Sequence, residues 1–266
     1  MRDTRCNGGS RRENTPARPN EQGHYPLLPH TTLGRVASVI RAIIFDFNGV
    51  IADDETPHVV CFQQALAEAG LTLTTEEYYG AYLGMDERTC TRMLLEQRDG
   101  AYDETEVFRI AERKAKLFQA HAALHKPLLF PGVIDFVQAA KSRYRLAIAS
   151  GGRRTQIDAA LSGTAIASDF DVIVAAEDCP IGKPDPSIYL LTLERLNTCC
   201  SSGHDFTSAE CLVLEDSLAG IRSAKAAGMR VLGLANTYPV EKLHEADDVL
   251  PSLEHMTPET AMDRIV

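Results

Sequence analysis

Short apolar runs alternate with longer amphipathic stretches along most of this chain. The first run, Val39-Ile40-Arg41-Ala42-Ile43-Ile44-Phe45, is nearly continuous and stops at Asp46. A run with so little polar alternation suits a strand buried on both faces, the usual state of a strand in a parallel sheet. Similar runs recur at residues 146–149, 172–175, 211–214 and 231–234. Between them, residues 133–143, 153–161, 187–196 and 217–227 carry helical spacing, and Gly228 stands where the last of these helices should end. Strands and helices alternating at this length predict an α/β fold with a mostly parallel sheet.

Residues 57–125 break that rhythm. Residues 57–69, 75–83, 87–97 and 104–124 all read as helices, with no strand among them. In the last, Phe108, Ala111, Ala115, Phe118 and Ala122 share one face, the spacing of packed core rather than of a binding groove. The expected organisation is a core in two parts, residues 37–54 and 127–266, with a helical cap over residues 55–126 above the end of the first strand. Residues 1–36 are rich in Arg, Asn, Gly, Pro and Ser and predict a disordered extension. A transit peptide is the rival reading, and Asp3, Glu13, Glu21 and several prolines oppose the amphipathic helix it would need.

Composition narrows the function classes. The 266 residues are 44% apolar and 24% charged, as in ordinary globular chains, with a formal net charge of −10. That balance disfavours nucleic acid and anionic membrane as partners, but leaves a small anionic substrate open. No apolar run nears the roughly 20 residues that cross a bilayer, and the most hydrophobic stretch, 36–47, is interrupted by Arg41. Seven cysteines, odd in number and without CxxC spacing, suggest neither disulfides nor zinc; adjacent Cys199 and Cys200 read as bystanders. A cytoplasmic protein, monomeric or weakly oligomeric, fits these features.

In an open parallel sheet, ligands sit outside the carboxyl ends of the strands. Here the first run ends in Asp46-Phe47-Asn48-Gly49-Val50, the second in Ser150-Gly151-Gly152 and the fourth in Glu215-Asp216-Ser217, while Lys183-Pro184-Asp185-Pro186 follows the third. These polar clusters should converge on one edge, and their chemistry suits phosphoryl transfer. Asp46 can attack phosphorus as a carboxylate nucleophile. Mg²⁺ takes oxygen ligands and keeps waters, so Asp46 and Asp216 suffice beside a phosphate, with Glu215 available to hold a coordinated water. The Ser150 hydroxyl, the Gly151 backbone N–H and the Lys183 ammonium can face the phosphoryl oxygens. Each has an ordinary reading by itself: Asp46 and Ser150-Gly151-Gly152 as turns, Lys183 as an exposed loop, Asp216-Ser217 as a helix cap. Their common placement after separate strands favours the chemical one.

Four motifs in order carry a resemblance: Ile44-Phe45-Asp46-Phe47-Asn48-Gly49-Val50, Ala147-Ile148-Ala149-Ser150-Gly151, Gly182-Lys183-Pro184-Asp185-Pro186, and Leu214-Glu215-Asp216-Ser217-Leu218-Ala219-Gly220-Ile221. They resemble the haloacid-dehalogenase-like hydrolase superfamily, and within it the subgroup of β-phosphoglucomutases and sugar phosphatases. The resemblance implies a Rossmann-like core with a helical cap, and an enzyme acting on a small phosphorylated metabolite. It also implies Asp46 as nucleophile, the carbonyl of Asn48 with Asp216 as Mg²⁺ ligands, and Ser150 and Lys183 on the phosphoryl group. The segment Leu83-Gly84-Met85-Asp86 matches the family's specificity loop by position only.

One position departs from the family. Its phosphatases and mutases usually carry aspartate two residues after the nucleophile as general acid and base; this chain has Asn48. An amide delivers no proton, and such help is worth about 10²–10⁴ in rate. The expectation is therefore an enzyme that is slow on ordinary esters, uses a good leaving group, or recruits another acid from Asp53, Asp54, Glu55 or His58. A weakened phosphate-ester binding protein, or another hydrolase chemistry on Asp46, are the alternatives. His58 reads equally as a hinge contact or a surface histidine, and Arg153 and Arg154 as substrate-facing or solvated; His58 and Arg154 are counted among the substrate contacts. His121, His125, His204, His244 and His255 show no partner spacing.

Overall fold

A computed structural model describes residues 39–199 and 205–265; the expected extension over 1–36, with Cys6, Cys200 and His204, lies outside them. The first apolar run forms β1 (Ala42–Phe45), shorter than expected. Val39 is exposed, and Arg41, just before the strand, donates its N–H to the Glu210 carbonyl at 2.8 Å and accepts from the Arg145 N–H at 3.1 Å. A tight loop leads into β2 (Ala52–Asp53), closed by Ile51 and Ala52 N–H groups donating to the Phe47 carbonyl at 2.8 and 2.9 Å.

The helical insert follows as α1 (Glu55–Glu68), α2 (Thr75–Glu77), α3 (Glu87–Asp99) and α4 (Glu104–Leu124). The starts of α2, α3 and α4 are capped by side chains: Thr74 and Glu77 form a capping box, Asp86 accepts from Arg88 and Thr89, and Asp103 accepts from Thr105. The chain returns through β3 (Leu128–Leu129), antiparallel to β2, with Ala52 opposite Leu129. Both ends of the insert thus leave from one small ribbon.

The remainder alternates: α5 (Val133–Ala140), β4 (Arg145–Ala149), α6 (Arg154–Leu161), β5 (Val172–Val174), α7 (Ser187–Cys199), β6 (Cys211–Glu215), α8 (Leu218–Ala226), β7 (Arg230–Leu234), β8 (Asp248–Leu250) and α9 (Pro258–Asp263). Six parallel strands form the sheet in the order β5-β4-β1-β6-β7-β8, which sets β1 between β4 and β6.

Successive side chains of a strand point to opposite faces, so each continuous run feeds two cores. Ala42, Ile44, Ala147, Ala149 and Val213 face one side, with Ile188 and Tyr189 of α7 and Ile221 of α8; that core runs on into Phe62, Leu66 and Val107 of the insert. Ile43, Phe45, Leu146, Ile148 and Leu214 face the other, with Phe136 of α5, Ile157 of α6 and Ala261 of α9. The result is an α/β/α sandwich.

Three details depart from the sequence pattern. Residues 75–83 are not one helix: after α2 the backbone widens into a π-turn over Tyr78–Tyr82, with the Leu83 N–H donating to the Tyr78 carbonyl at 3.0 Å. On α4 the buried stripe is Val107, Ile110, Ala111, Lys114, Ala115 and Phe118, whereas Phe108 is exposed and Ala122 half-buried. The edge strand β8 and the ribbon β2–β3 are each two or three residues long and partly solvated, too short for their apolar residues to mark a strand.

Phe45 is fully buried directly before Asp46, edge-on to Phe136 and Phe170 at 6.1 and 5.8 Å. Phe45→Ala should cost about 3–5 kcal/mol, read as a lower denaturant midpoint at unchanged slope. A loss below about 1 kcal/mol would show that this layer repacks around the gap.

Candidate active site

The strand order brings the sequence-distant clusters together. Asp46 follows β1, Ser150 follows β4, and Glu215 closes β6 with Asp216 next to it. The Asp46 N–H donates to the Leu214 carbonyl, and the Ser150 N–H to the Val174 carbonyl, each at 3.0 Å, so the ladder sets both residues at the sheet's end. Lys183 arrives on the loop before α7. It does not lie exposed: its side chain is 3% accessible and its ammonium donates to Asp46 Oδ1 and Glu215 Oε1, each at 2.6 Å.

Glu215 is already spoken for. Oε1 also accepts from the Tyr189 hydroxyl at 3.0 Å, and Oε2 accepts from the Asp216 N–H, the Ser217 N–H and the Ser217 hydroxyl, each at 2.9 Å. It therefore anchors Lys183 and the turn into α8. Ser217 does cap α8, accepting from the Gly220 N–H at 3.1 Å. One oxygen from each of Asp46, Glu215 and Asp216 lies within 4.8 Å of the others.

Three buried carboxylates facing one ammonium leave negative charge that burial cannot tolerate unaided. Desolvation, with Glu215 adding repulsion, pushes the Asp46 carboxyl up to about 7, although Lys183 opposes the shift. Desolvation raises Asp216 well above the carboxylate range too, reinforced by Glu215 and Asp46 and opposed by the Thr237 hydroxyl that donates to it. Lys183 is held well above its ordinary value: burial would lower it, but Asp46 and Glu215 overcome that. An all-oxygen, charge-deficient set of this kind fits Mg²⁺. The loop presses close around it, since Gly49 has φ +79° and a Cβ there would stand 1.9 Å from Asp216 Oδ2.

Asn48 faces the insert. Its amide nitrogen donates to Asp54 Oδ1 at 2.8 Å and lies 3.2 Å from His58 Nε2, while its amide oxygen accepts from the Ser150 hydroxyl at 3.5 Å. His58 is buried, not a surface histidine, with its ring 3.9 Å from that of Phe118. Its Nδ1 is 2.5 Å from the Lys114 ammonium, which also donates to Glu87 Oε1. His58 Nε2 lies 3.5 Å from Asp54 Oδ2.

Lys114 was missed from sequence, and its signal was there: a lysine on the apolar stripe of α4, at helical spacing from Ile110, Ala111 and Phe118. Arg154 is not brought in. Its side chain is half exposed and pairs with Asp158 at 2.9 Å. Arg153 instead turns to the insert and donates to Glu112 at 2.6 Å. Gly151 lines the cleft as expected. The remaining cavity, about 60 Å³, is lined on the side of the insert by Leu83, Gly84 and Met85. A Cβ on Gly84, which has φ +81°, would stand 2.1 Å from the Ser217 hydroxyl, so this loop rests on the start of α8.

Among the described residues no helix is long and apolar enough to cross a membrane. The family model for haloacid dehalogenase-like hydrolase matches residues 40–228. The chain is 32% identical over 207 residues to Protein CbbY of Rhodobacter capsulatus, covering 75% of this chain and 87% of that one. It is 31% identical over 202 residues to a phosphorylated carbohydrates phosphatase of Thermotoga maritima, covering 74% and 87%. Its fold matches CbbY of Rhodobacter sphaeroides in complex with xylulose bisphosphate, at 28% identity and a TM-score of 0.70 over 84% of this chain and 99% of that one. Sequence, fold and the arrangement of the strand ends agree: the chain belongs to the haloacid dehalogenase-like hydrolases.

Proposed function

We propose that this hydrolase is a Mg²⁺-dependent phosphatase or phosphomutase of a small organic phosphate, working through an aspartyl-phosphate on Asp46. The convergence of Asp46, Ser150, Lys183 and Asp216 at one buried sheet edge carries this reading. Asp46, Asp216 and the Asn48 carbonyl would hold the metal, which when bound offsets phosphoryl charge. Asp46 attacks phosphorus, the bond to the ester oxygen breaks, and the phosphoryl group passes to the carboxylate. Lys183, the Ser150 hydroxyl and the Gly151 N–H face the phosphoryl oxygens. The insert acts as a cap. At about 60 Å³ the cavity is far below the roughly 300–1,000 Å³ of a ligand cleft, so the cap must open to admit an ester.

The leaving oxygen needs a proton that Asn48 does not have. Asp54 Oδ1 lies 2.8 Å from the Asn48 amide nitrogen and accepts from it, so His58, with Nε2 3.2 Å from the same nitrogen and Nδ1 against Lys114, is the first candidate. Glu55, whose carboxyl is raised by burial, lines the same cleft and is the second candidate. The other reading is a phosphate-ester binding protein with slow turnover, favoured by an Asn48 side chain fully engaged by Asp54 and Ser150.

Asp46→Asn should abolish turnover with the melting temperature retained, and Asp216→Ala should weaken Mg²⁺ binding and remove activity. Full activity in excess chelator would overturn the metal-dependent mechanism. Asn48→Asp should speed single-turnover phosphorylation from esters of poorly acidic alcohols by a large part of about 10²–10⁴, and less from nitrophenyl phosphate. A steep leaving-group dependence that this substitution fails to flatten would remove position 48 as the missing acid. A wild-type rate already insensitive to the leaving group points to another acid, and His58→Gln should then restore the dependence.

Because Asp46 and Asp216 hold protons that the unfolded chain releases above about pH 4, metal-free protein should lose stability as pH rises towards about 7. Saturating Mg²⁺ binds the ionised carboxylates and should cancel most of that loss. Thermal melts with chelator and with Mg²⁺ measure both. A metal-free melting temperature that climbs from about pH 5 to about pH 8 would contradict it.

A further inference from the structure

The phosphoryl end of the cleft and its organic end differ in charge. At the organic end, α1 and α3 contribute Glu55 and Glu87, and α4 contributes Lys114. Among the described residues lining the cavity, His58 and Lys114 are the basic ones. Lys114 is engaged on both sides, by Glu87 and by His58 Nδ1. Lys183 below is engaged by Asp46 and Glu215, and Arg153 beyond the rim by Glu112. No cation there is left without a carboxylate or ring partner.

The carboxylates are less fully used. Glu55 takes the Tyr78 hydroxyl on Oε1 at 2.6 Å, and Glu87 takes the Lys114 ammonium on Oε1; neither second oxygen receives a donor from the described residues. Burial raises Glu55, whereas at Glu87 burial is outweighed by Lys114 together with His58 and Arg153, which hold it below its ordinary value. Among the described residues, the organic end thus offers two open carboxylate acceptors, while its ammonium is already shared between Glu87 and His58. A hydroxyl or an amine can donate to those acceptors. A second phosphate brings only acceptors and a like charge, and like charges brought together at a dry contact cost heavily.

We propose that this cleft selects monophosphates whose organic part carries hydroxyl or amino donors, and discriminates against a second phosphate. Glu55 and Glu87 set the selection, Glu87 by keeping Lys114 neutralised. The inference rests on the phosphoryl-transfer reading above and narrows it. It also separates this chain from the related CbbY protein, whose structure holds a xylulose bisphosphate.

The test is calorimetric binding to the Asp46→Asn protein with Mg²⁺, using a hexose monophosphate, a hexosamine monophosphate and a hexose bisphosphate, alongside wild-type kcat/KM for the same esters. Both monophosphates should bind at least about tenfold tighter than the bisphosphate. Adding Glu87→Gln should free Lys114 and shrink or reverse that ratio, with Glu55→Gln shrinking it to a smaller degree. Melting curves establish that each variant is folded, and the ratio within the Asp46→Asn protein stands whether or not they are. A bisphosphate that binds as tightly as the monophosphates, or is turned over faster, overturns the selection and leaves the phosphoryl-transfer reading intact. Failure of every ester, nitrophenyl phosphate included, to bind or react would overturn that reading and this inference together.

Discussion

The uncompensated negative charge at the end of β1 is the interaction on which the rest of the site depends. Asp46, Glu215 and Asp216 are buried side by side because parallel strands β1 and β6 are neighbours and both end there. Lys183 balances part of the charge, and the hydrogen bonds converging on Glu215 balance more. The residue is a standing demand for a divalent cation or a proton. Apolar burial elsewhere sustains this cost, since the two cores flanking the sheet hold the strand ends in a register they would not adopt for electrostatic reasons.

Much of this was legible in the chain. The continuous run through Ile43, Ile44 and Phe45 could only be a buried strand, and the polar residues after each run marked one edge. Lys183 was harder: lysine before proline is ordinarily exposed, and its burial becomes visible only when β6 places Glu215 beneath it. The stripe on α4 is legible at Ala111, Ala115 and Phe118 but misplaced at Phe108, which looks like core and is exposed. It is Val107 and Ile110 that are buried, and that spacing places Lys114 on the inward face. Strands β2, β3 and β8, two or three residues each, are too short for periodicity to register even where they are apolar, as at Leu128-Leu129.

Asn48 shows how a single amide alters the division of labour. In place of a group that titrates, the chain has one that donates to Asp54 and accepts from Ser150, and so ties the loop after Asp46 to the insert. The titratable groups beside the amide, His58 and Lys114, are carried by α1 and α4. Reactivity then depends on how the insert sits as well as on the sheet edge.

The ribbon of β2 and β3 governs that dependence. The chain leaves for the insert and returns from it through two paired strands, Ala52 beside Leu129 and Asp53 beside Leu128. The two crossings are therefore one strand spacing apart, about 4.8 Å. Any helical unit whose ends meet at that spacing can be spliced onto the same sheet without disturbing β1 or β4. The architecture thus lets the part that meets the organic group diverge freely while the part that meets phosphorus stays fixed.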